Sequence, residues 1–127
     1  MSSQAQSRDA LIDRYFDAWN ATDDERRATL IRETYAANAC YLDPLLRGDG
    51  HAGIDAMIRA VHERFPAHTF RRTTDVDGVA NHLRFSWELR TPQGQPIVKG
   101  TDFGTVDEQE RIVSMTGFLD EAPGMTS

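Results

Sequence analysis

Apolar and polar side chains alternate without interruption in one segment of the second half of the chain. The apolar positions, followed by the polar ones, are Leu83, Phe85, Trp87 and Leu89, and Arg84, Ser86, Glu88 and Arg90. Successive side chains of a strand point to opposite faces of the sheet, so this alternation is typical of a strand with one buried face. A sheet with one apolar face must be covered by a second layer, which the rest of the chain has to supply.

The first half of the chain supplies that layer, because its apolar residues recur at helical spacing. One such stretch runs from Leu11 to Trp19. Thr22 followed by Glu25 is a capping-box pattern, which predicts a second helix running to about Thr34. A third helix over residues 54–65 is predicted to end before Pro66, since the residue preceding a proline disfavours helical geometry.

The remaining segments read as strands. A short extended piece is predicted at residues 40–43, and residues 70–77 and 83–90 are predicted to form a hairpin around Gly78. Two further strands are predicted at residues 97–106 and 112–119. Helices first and antiparallel strands afterwards indicate an α+β fold with the helices on one face of a curved sheet. We expect one domain spanning residues 1–127, with an ordered core at about 8–120 and frayed ends at 1–6 and 122–127.

Composition narrows the classes of function and location. The 127 residues carry a net charge of −6, which argues against a nucleic-acid partner or an anionic membrane surface. No apolar run approaches membrane-spanning length, and the polar N-terminus does not resemble a signal peptide, so a cytoplasmic location is expected. The single cysteine, Cys40, cannot form an internal disulfide and is predicted to be a small buried side chain.

Six short motifs follow one another along residues 8 to 120. They are Trp19-Asn20, Tyr35-Ala36, Asp43-Pro44, Phe65-Pro66, Gly100-Thr101-Asp102 and Gly117-Phe118. In this order they resemble the SnoaL-like and ketosteroid-isomerase branch of the NTF2-like superfamily. The resemblance implies a cone in which three N-terminal helices pack on a curved, mainly antiparallel sheet and enclose a pocket.

Three polar side chains fall on surfaces that otherwise read as facing the core. Tyr15 lies in the apolar stripe of the first helix, and Asp43 shares a strand face with Tyr41. Asp102 lies between Gly100 and Gly104, which leave space beside it or mark a bend in the strand. An ionised carboxylate opposite hydrogen-bond donors suits proton transfer at a carbon next to a carbonyl group. A carboxyl group in an apolar pocket resists ionisation and can itself be a donor.

By resemblance, Asp43 takes the place of the general base, Asp102 that of the protonated donor and Tyr15 that of the phenolic donor. Each has a structural alternative: a turn cap for Asp43, an arginine partner for Asp102 and a core position for Tyr15. Ile58 stands about where ketosteroid isomerases carry a supporting tyrosine.

The resemblance also implies two other reaction schemes, each of which requires its own set of residues. SnoaL-type cyclases have a histidine at the position of Asp102 and a carboxylate on the last strand, which residues 112–119 lack, so that cyclisation scheme is not expected. Limonene-epoxide hydrolases use an Asp-Arg-Asp set, for which Arg72 and Arg84 are the candidates.

The predicted pocket wall is aromatic and methionine-rich, which suits a flat or flexible apolar ligand but equally suits a filled core. The predicted substrate-binding residues are Phe16, Trp19, Met57, Val61, His68, Phe85, Trp87, Met115 and Leu119. The four histidines have no convincing metal spacing, so no metal is expected, and no cofactor is implied.

The sequence therefore predicts an isomerase, cyclase or dehydratase type of enzyme that needs no cofactor and acts on a small, largely apolar carbonyl compound. The alternatives are a non-catalytic module that binds a small hydrophobic molecule, and a dimeric interaction scaffold. A homodimer is expected, with the open sheet face as its contact surface, and neither nucleic acid nor membrane is expected as a partner.

Overall fold

A computed structural model of the chain describes residues 3–122, and the side chains of residues 8–122. The helices and strands, in chain order within each group, are α1 Ser3–Asn20, α2 Asp24–Thr34, α3 Gly50–Arg64, β1 Tyr35–Leu42, β2 Arg47–Asp49, β3 Thr69–Arg72, β4 Asp77–Val79, β5 His82–Arg90, β6 Pro96–Val106 and β7 Ile112–Glu121. Of the predicted frayed ends, residues 1–2 and 123–127 lie outside the described residues, whereas residues 3–6 form the first turn of α1.

The seven strands form one sheet in the order β2-β1-β7-β6-β5-β3, with β4 paired to β5. All neighbours are antiparallel except β1 and β7, which run parallel. The register shifts at Lys99/Gly100 and at Thr105/Val106, and such irregularities bend a strand. The result is a curved, open, mixed sheet with three helices against it, as the α+β cone prediction requires.

The core lies between the helices and the concave face of the sheet. The four apolar residues of the alternating segment are all buried, and none is more than 7% exposed, so the predicted half-buried strand is confirmed. Glu88, one of the polar residues of the same segment, is unexpectedly buried and only 7% exposed. Its carboxylate accepts a hydrogen bond of 2.8 Å from Arg90. A buried carboxylate is normally paired in this way.

Several boundaries differ from the predictions. The N-cap of α2 is Asp23 rather than Thr22, since the Asp23 carboxylate accepts the amide of Arg26 at 2.8 Å. The hairpin turns at Ala80, where φ is 54°, and Gly78 instead pairs with Leu83. The capping prediction failed because Thr22 and Asp23 both have cap chemistry. The turn prediction failed because Ala80 adopts a positive φ although alanine does not favour it, so the sequence has no signal for a turn there.

The first strand is longer than predicted and starts at Tyr35, directly after α2. The short strand β2 was not predicted at all. Cys40 is exposed, so the prediction of a buried thiol is wrong. Tyr41 next to it is buried, and the two-residue period of a strand therefore turns Cys40 to the other face. No helix within residues 3–122 has the length and apolarity needed to cross a membrane.

Candidate active site

A cavity of about 910 Å³ lies between the helices and the sheet. Its lining comprises Tyr15, Phe16, Trp19, Tyr41, Asp43, Leu45, Leu46, Ala60, Val61, Glu63, Arg64, Phe65, Phe70, Trp87, Leu89, Val98, Asp102, Leu119 and Ala122. Most of these side chains are aromatic or aliphatic. Leu45, Ala60, Glu63 and Arg64 are exposed, so the cavity opens to solvent at their end. Both candidate acids, Asp43 and Asp102, line the same hollow space.

Asp102 lies deep in the cavity wall, on β6, and is 2% exposed. Its two carboxylate oxygens accept one hydrogen bond each from buried donors. The Tyr15 hydroxyl donates to Oδ2 at 2.7 Å, and the Trp87 indole N–H donates to Oδ1 at 2.9 Å. The partners of Asp102 are thus a phenol and an indole, and the arginine pairing considered from the sequence is absent.

The surroundings of Asp102 favour its neutral form. The pKa of this carboxyl is raised from 3.8 to about 6. Burial is the main cause, and the nearby charge of Asp43 contributes to the same rise. The hydrogen bonds from Tyr15 and Trp87 act in the opposite direction, because they stabilise the carboxylate. Asp102 therefore changes its charge at about pH 6. The pKa of Tyr15 is raised by its own burial and by the charge of Asp102, so its hydroxyl keeps its proton.

Asp43 lies nearer the cavity mouth, immediately after β1, and is half-buried. Its Oδ1 accepts the backbone amides of Leu45 and Leu46, both at 2.8 Å, and its Oδ2 accepts the Tyr41 hydroxyl at 2.7 Å. The turn-capping role considered for an aspartate before Pro44 is therefore present. It coexists with a position in the cavity wall, since one oxygen caps the turn and the other bonds to a phenol of the wall.

Gly117 on β7 marks the point where these groups meet. A Cβ placed on Gly117 would lie 2.9 Å from Asp102 Oδ1, 2.9 Å from the Tyr41 hydroxyl and 3.2 Å from the Cβ of Asp43. No side chain fits there, so the missing side chain makes room for both acids. Gly100 has a similar role, because its absent side chain leaves the space that the Trp87 indole occupies.

A second buried phenol stands beside the Tyr15–Asp102 pair. Tyr35 is 0% exposed, and burial is the main cause that raises its pKa. The indole N–H of Trp19 and the hydroxyl of Tyr15 lie near its oxygen and partly offset that rise. Neither contact has the geometry of a full hydrogen bond, so the Tyr35 hydroxyl and Trp19 Nε1 have no partner among the described residues.

The structure brings together most, but not all, of the predicted site. Tyr15, Asp43 and Asp102 line the cavity, together with the predicted wall residues Phe16, Trp19, Val61, Trp87 and Leu119. Four predicted wall residues lie elsewhere. Met57, Phe85 and Met115 are packed in the core, and His68 bonds to the Pro66 carbonyl outside the cavity. Periodicity identifies an inward-facing side chain but not whether it meets a void or another side chain.

Tyr41 and the donor role of Trp87 were missed by sequence reasoning. Tyr41 had a usable signal, since it lies two residues before Asp43 and shares its strand face. Trp87 had none, because its bond to Asp102 depends on the register between β5 and β6 and on Gly100 opposite it.

The residues considered for the related reaction schemes lie outside the site. Ile58 is fully buried and outside the cavity lining. The last strand extends to Glu121 and so includes Asp120, which the predicted boundary omitted, but both carboxylates are exposed. Arg84 is bound to Asp77, and Arg72 lies 3.9 Å from Asp9 and from Asp13, so neither lies between the two acids. Within the described part of the chain, no group of His, Cys, Asp and Glu side chains is arranged to hold a metal ion.

The family model of the SnoaL-like domain matches residues 12–115, which is most of the chain. The chain belongs to the SnoaL-like family. It is 39% identical to a "putative isomerase of the SnoaL-like family" from Agrobacterium tumefaciens. That match has a TM-score of 0.86 and covers 91% of this chain and 98% of the other.

More distant structures share the fold of this SnoaL-like domain. A "putative SnoaL-like polyketide cyclase" from Jannaschia sp. is 17% identical, with a TM-score of 0.71 and coverage of 91% of this chain and 86% of that one. An NTF2-like protein of unknown function from Exiguobacterium sp. is 18% identical, with a TM-score of 0.69 and coverage of 87% and 98%. No curated protein matches the sequence significantly.

Proposed function

We propose that this SnoaL-like protein is a cofactor-independent proton-transfer enzyme of the isomerase, cyclase or dehydratase type. Its substrate is a small, largely apolar carbonyl compound that enters the cavity. The observation that carries this proposal is that Asp43 and the Tyr15–Asp102 pair line one apolar cavity that opens to solvent. Its relative from Agrobacterium tumefaciens is named a "putative isomerase", which agrees with this class of reaction.

In the proposed reaction, Asp43 takes a proton from the carbon next to the substrate carbonyl. The electrons of the broken C–H bond move to the carbonyl oxygen and form an enolate. Tyr15 and Asp102 stabilise this developing charge by hydrogen bonding, and returning the proton to another carbon completes an isomerisation. A preorganised donor in a dry cavity stabilises the transition state more than it stabilises the neutral ketone.

Counting hydrogens shows why Asp102 must be protonated in this scheme. Trp87 donates to Oδ1, so a proton on Asp102 belongs on Oδ2, which faces the Tyr15 hydroxyl at 2.7 Å. The protonated pair then holds two hydrogens, one between the two oxygens and one for the substrate. After Asp102 ionises, the single remaining hydrogen lies between the oxygens, and none is left for the substrate.

This hydrogen count sets the expected pH dependence of kcat/KM. Since the Asp102 pKa is about 6 in the empty site, kcat/KM should fall as the pH rises through about 6. If Asp102 were the base instead, kcat/KM would rise over the same interval. The sign of this slope therefore distinguishes the two assignments.

The experiment is a screen of apolar β,γ-unsaturated ketones for conversion to conjugated enones. The conversion is monitored by the absorbance of the enone and by the uptake of deuterium from D₂O. Asp43→Asn should lower kcat about 100-fold or more, because a positioned base contributes about 10² to 10⁴ in rate. Asparagine can still accept the two turn amides, so the loop should remain folded. Asp120→Asn, at an exposed position, is the matched control. Equal rates for wild type and Asp43→Asn would remove Asp43 from the mechanism.

A second candidate function is non-catalytic binding of a small hydrophobic molecule. The observation in its favour is that three donors already bind the Asp43 carboxylate, as expected of a purely structural cap. Apolar ketones that bind in the cavity, yet take up no deuterium over hours with wild-type protein, would favour this function.

A further inference from the structure

The hydroxyl of Tyr41, in the cavity wall, lies close to Asp102 and donates a hydrogen bond to Asp43. The hydroxyl oxygen is 2.7 Å from Asp43 Oδ2. The same hydroxyl and Asp102 Oδ1 would each lie 2.9 Å from a Cβ on Gly117, so both oxygens border one small space. Tyr41 is 3% exposed, and its ring packs edge-to-face on Trp19 with centroids 5.3 Å apart. The hydroxyl is thus held in place by the core rather than by solvent.

The single proton of this hydroxyl is given to only one of the two acids. Burial, the charge of Asp102 and the charge of Asp43 all raise the pKa of Tyr41, so it stays a donor. A phenol that donates to a carboxylate stabilises its ionised form. Asp43 receives that donation and Asp102 does not, although Asp102 has Tyr15 and Trp87.

Oδ2 is also the oxygen of Asp43 that remains for chemistry. Its other oxygen, Oδ1, already accepts the amides of Leu45 and Leu46. A carboxylate oxygen has two acceptor sites, so one site on Oδ2 stays free beside the Tyr41 hydroxyl. A proton taken from substrate carbon would arrive at this site.

We propose that Tyr41 is a positioning residue, which fixes Asp43 Oδ2 and stabilises the ionised form of the Asp43 carboxyl group. The role of Asp43 as the base rests on the proposed function, but its hydrogen bond with Tyr41 is a property of the protein without substrate. Without the Tyr41 hydroxyl, the Asp43 carboxylate loses one of its three donors, and the difference between the two acids becomes smaller. Such interacting acids titrate as a coupled pair.

Four other charged or titratable groups line the same cavity as Asp43 and Tyr41. From the facing elements these are Asp102 on β6 and Tyr15 on α1, and from α3 they are Glu63 and Arg64 at the rim. Neither Glu63 nor Arg64 forms an ion pair or hydrogen bond with Asp43 in the described structure. The Tyr41 contact is therefore the side-chain hydrogen bond that a substitution can remove on its own.

The test is a ¹³C NMR titration of the full chain carrying carboxyl-labelled aspartate, without any substrate. The signals of the two acids are assigned from Asp43→Asn and Asp102→Asn. Tyr41→Phe keeps the ring and removes only the hydroxyl. It should raise the midpoint of the Asp43 titration by about one pH unit, since a hydrogen bond to a charged group contributes about 1.5 kcal/mol. Tyr15→Phe is the matched control and should raise the Asp102 midpoint instead.

An Asp43 midpoint that does not move in the Tyr41→Phe chain would overturn the proposal. Should that chain not fold, replacing the tyrosines of the Tyr15→Phe chain with 3-fluorotyrosine tests the same contact. The fluorinated phenol is a stronger donor and should lower the Asp43 midpoint, whereas an unchanged midpoint again contradicts the role of Tyr41. Absence of turnover would count against the proposed function alone, because the titration requires no reaction.

Discussion

Asp102 should make the stability of this domain depend on pH in an unusual direction. Its pKa is about 6 when folded against 3.8 unperturbed, so the folded chain keeps the proton to higher pH than the unfolded chain. Between pH 4 and pH 6 the unfolded state loses its proton first, and the free energy of unfolding falls as the pH rises. The full loss, present above pH 6, is about 3 kcal/mol.

Urea denaturation of wild type and Asp102→Asn at pH 4, 5, 6 and 7 measures this effect. Between pH 4 and pH 7 the wild type should lose about 2.4 kcal/mol relative to Asp102→Asn, since the unfolded state has already lost part of its proton at pH 4. Taking the difference between the two chains removes the contributions of the other carboxylates. Asp120→Asn, on an exposed side chain, should follow the wild type. Parallel curves for wild type and Asp102→Asn would show that burial does not destabilise the Asp102 carboxylate.

Sequence reasoning placed the three proposed catalytic residues in one cavity but did not foresee how they are bonded. Strand alternation and the resemblance were sufficient to predict that the side chains of Asp43 and Asp102 point inward. The Tyr15 hydroxyl bond to Asp102 spans 87 positions in the chain and depends on how α1 crosses the sheet. Periodicity carries no information on that crossing. The hydrogen-bond partner of each acid therefore could not be predicted from the sequence.

At the scale of the secondary-structure elements, the contribution of β7 to the site is Gly117, whose missing side chain leaves space for the two acids. Gly117→Ala would bring a methyl group to 2.9 Å from both Asp102 Oδ1 and the Tyr41 hydroxyl. Overpacking of this kind costs about 1–3 kcal/mol, and the displaced carboxylates should also lose their catalytic alignment. We expect a lower melting temperature and a kcat reduced about tenfold or more.

A glycine in α3 offers the matched control for this substitution. A Cβ on Gly53 would lie no closer than 3.6 Å to its neighbours, which is ordinary contact. Gly53→Ala should therefore stabilise the helix by up to about 1 kcal/mol. Calorimetry measures the melting temperature of both variants, which should be lower for Gly117→Ala than for Gly53→Ala. Equal melting temperatures would mean that the two acids do not crowd β7.

The elements themselves were largely predictable, whereas their ends and the smallest strands were not. Phe65-Pro66 ends α3 where predicted, because the chemistry of proline leaves little choice. The strand β2 has only three residues, Arg47–Asp49, and exists because Cys40 to Leu42 pair with it. A segment that short has no periodicity of its own, so only the tertiary pairing reveals it.

At the scale of the whole molecule, the outer sheet face carries an apolar patch. Leu42, Phe103 and Phe118 are about half exposed there, and the two phenylalanine rings meet edge-to-face at 5.9 Å. The homodimer predicted from the sequence remains a prediction, and we propose that this patch is its contact surface. Exposed aromatic clusters of this kind commonly mark interfaces.

Analytical ultracentrifugation of the wild type at micromolar concentration should then report a dimer. Phe118→Lys, which places a charge in the patch, should give a folded monomer that melts at a lower temperature than the wild-type dimer, because dimerisation stabilises the folded chain. Val79→Lys is the control, since Val79 is 73% exposed on β4, outside the patch. A wild type that sediments as a monomer, or a dimer unaffected by Phe118→Lys, would contradict this contact surface.

In the proposed function, the protonated Tyr15–Asp102 pair offers a hydrogen to a ligand inside an open cavity. The most direct measurement is the affinity for a bicyclic ketone such as α-tetralone, which accepts hydrogen bonds and cannot donate them. Trp19 and Trp87 line the cavity, so tryptophan fluorescence reports binding. Between pH 5 and pH 8 the wild type should lose about fivefold to tenfold in affinity, the value of one hydrogen bond. Asp102→Asn should bind equally at both pH values, whereas absence of binding to wild type, or the same pH dependence in both chains, would contradict the account.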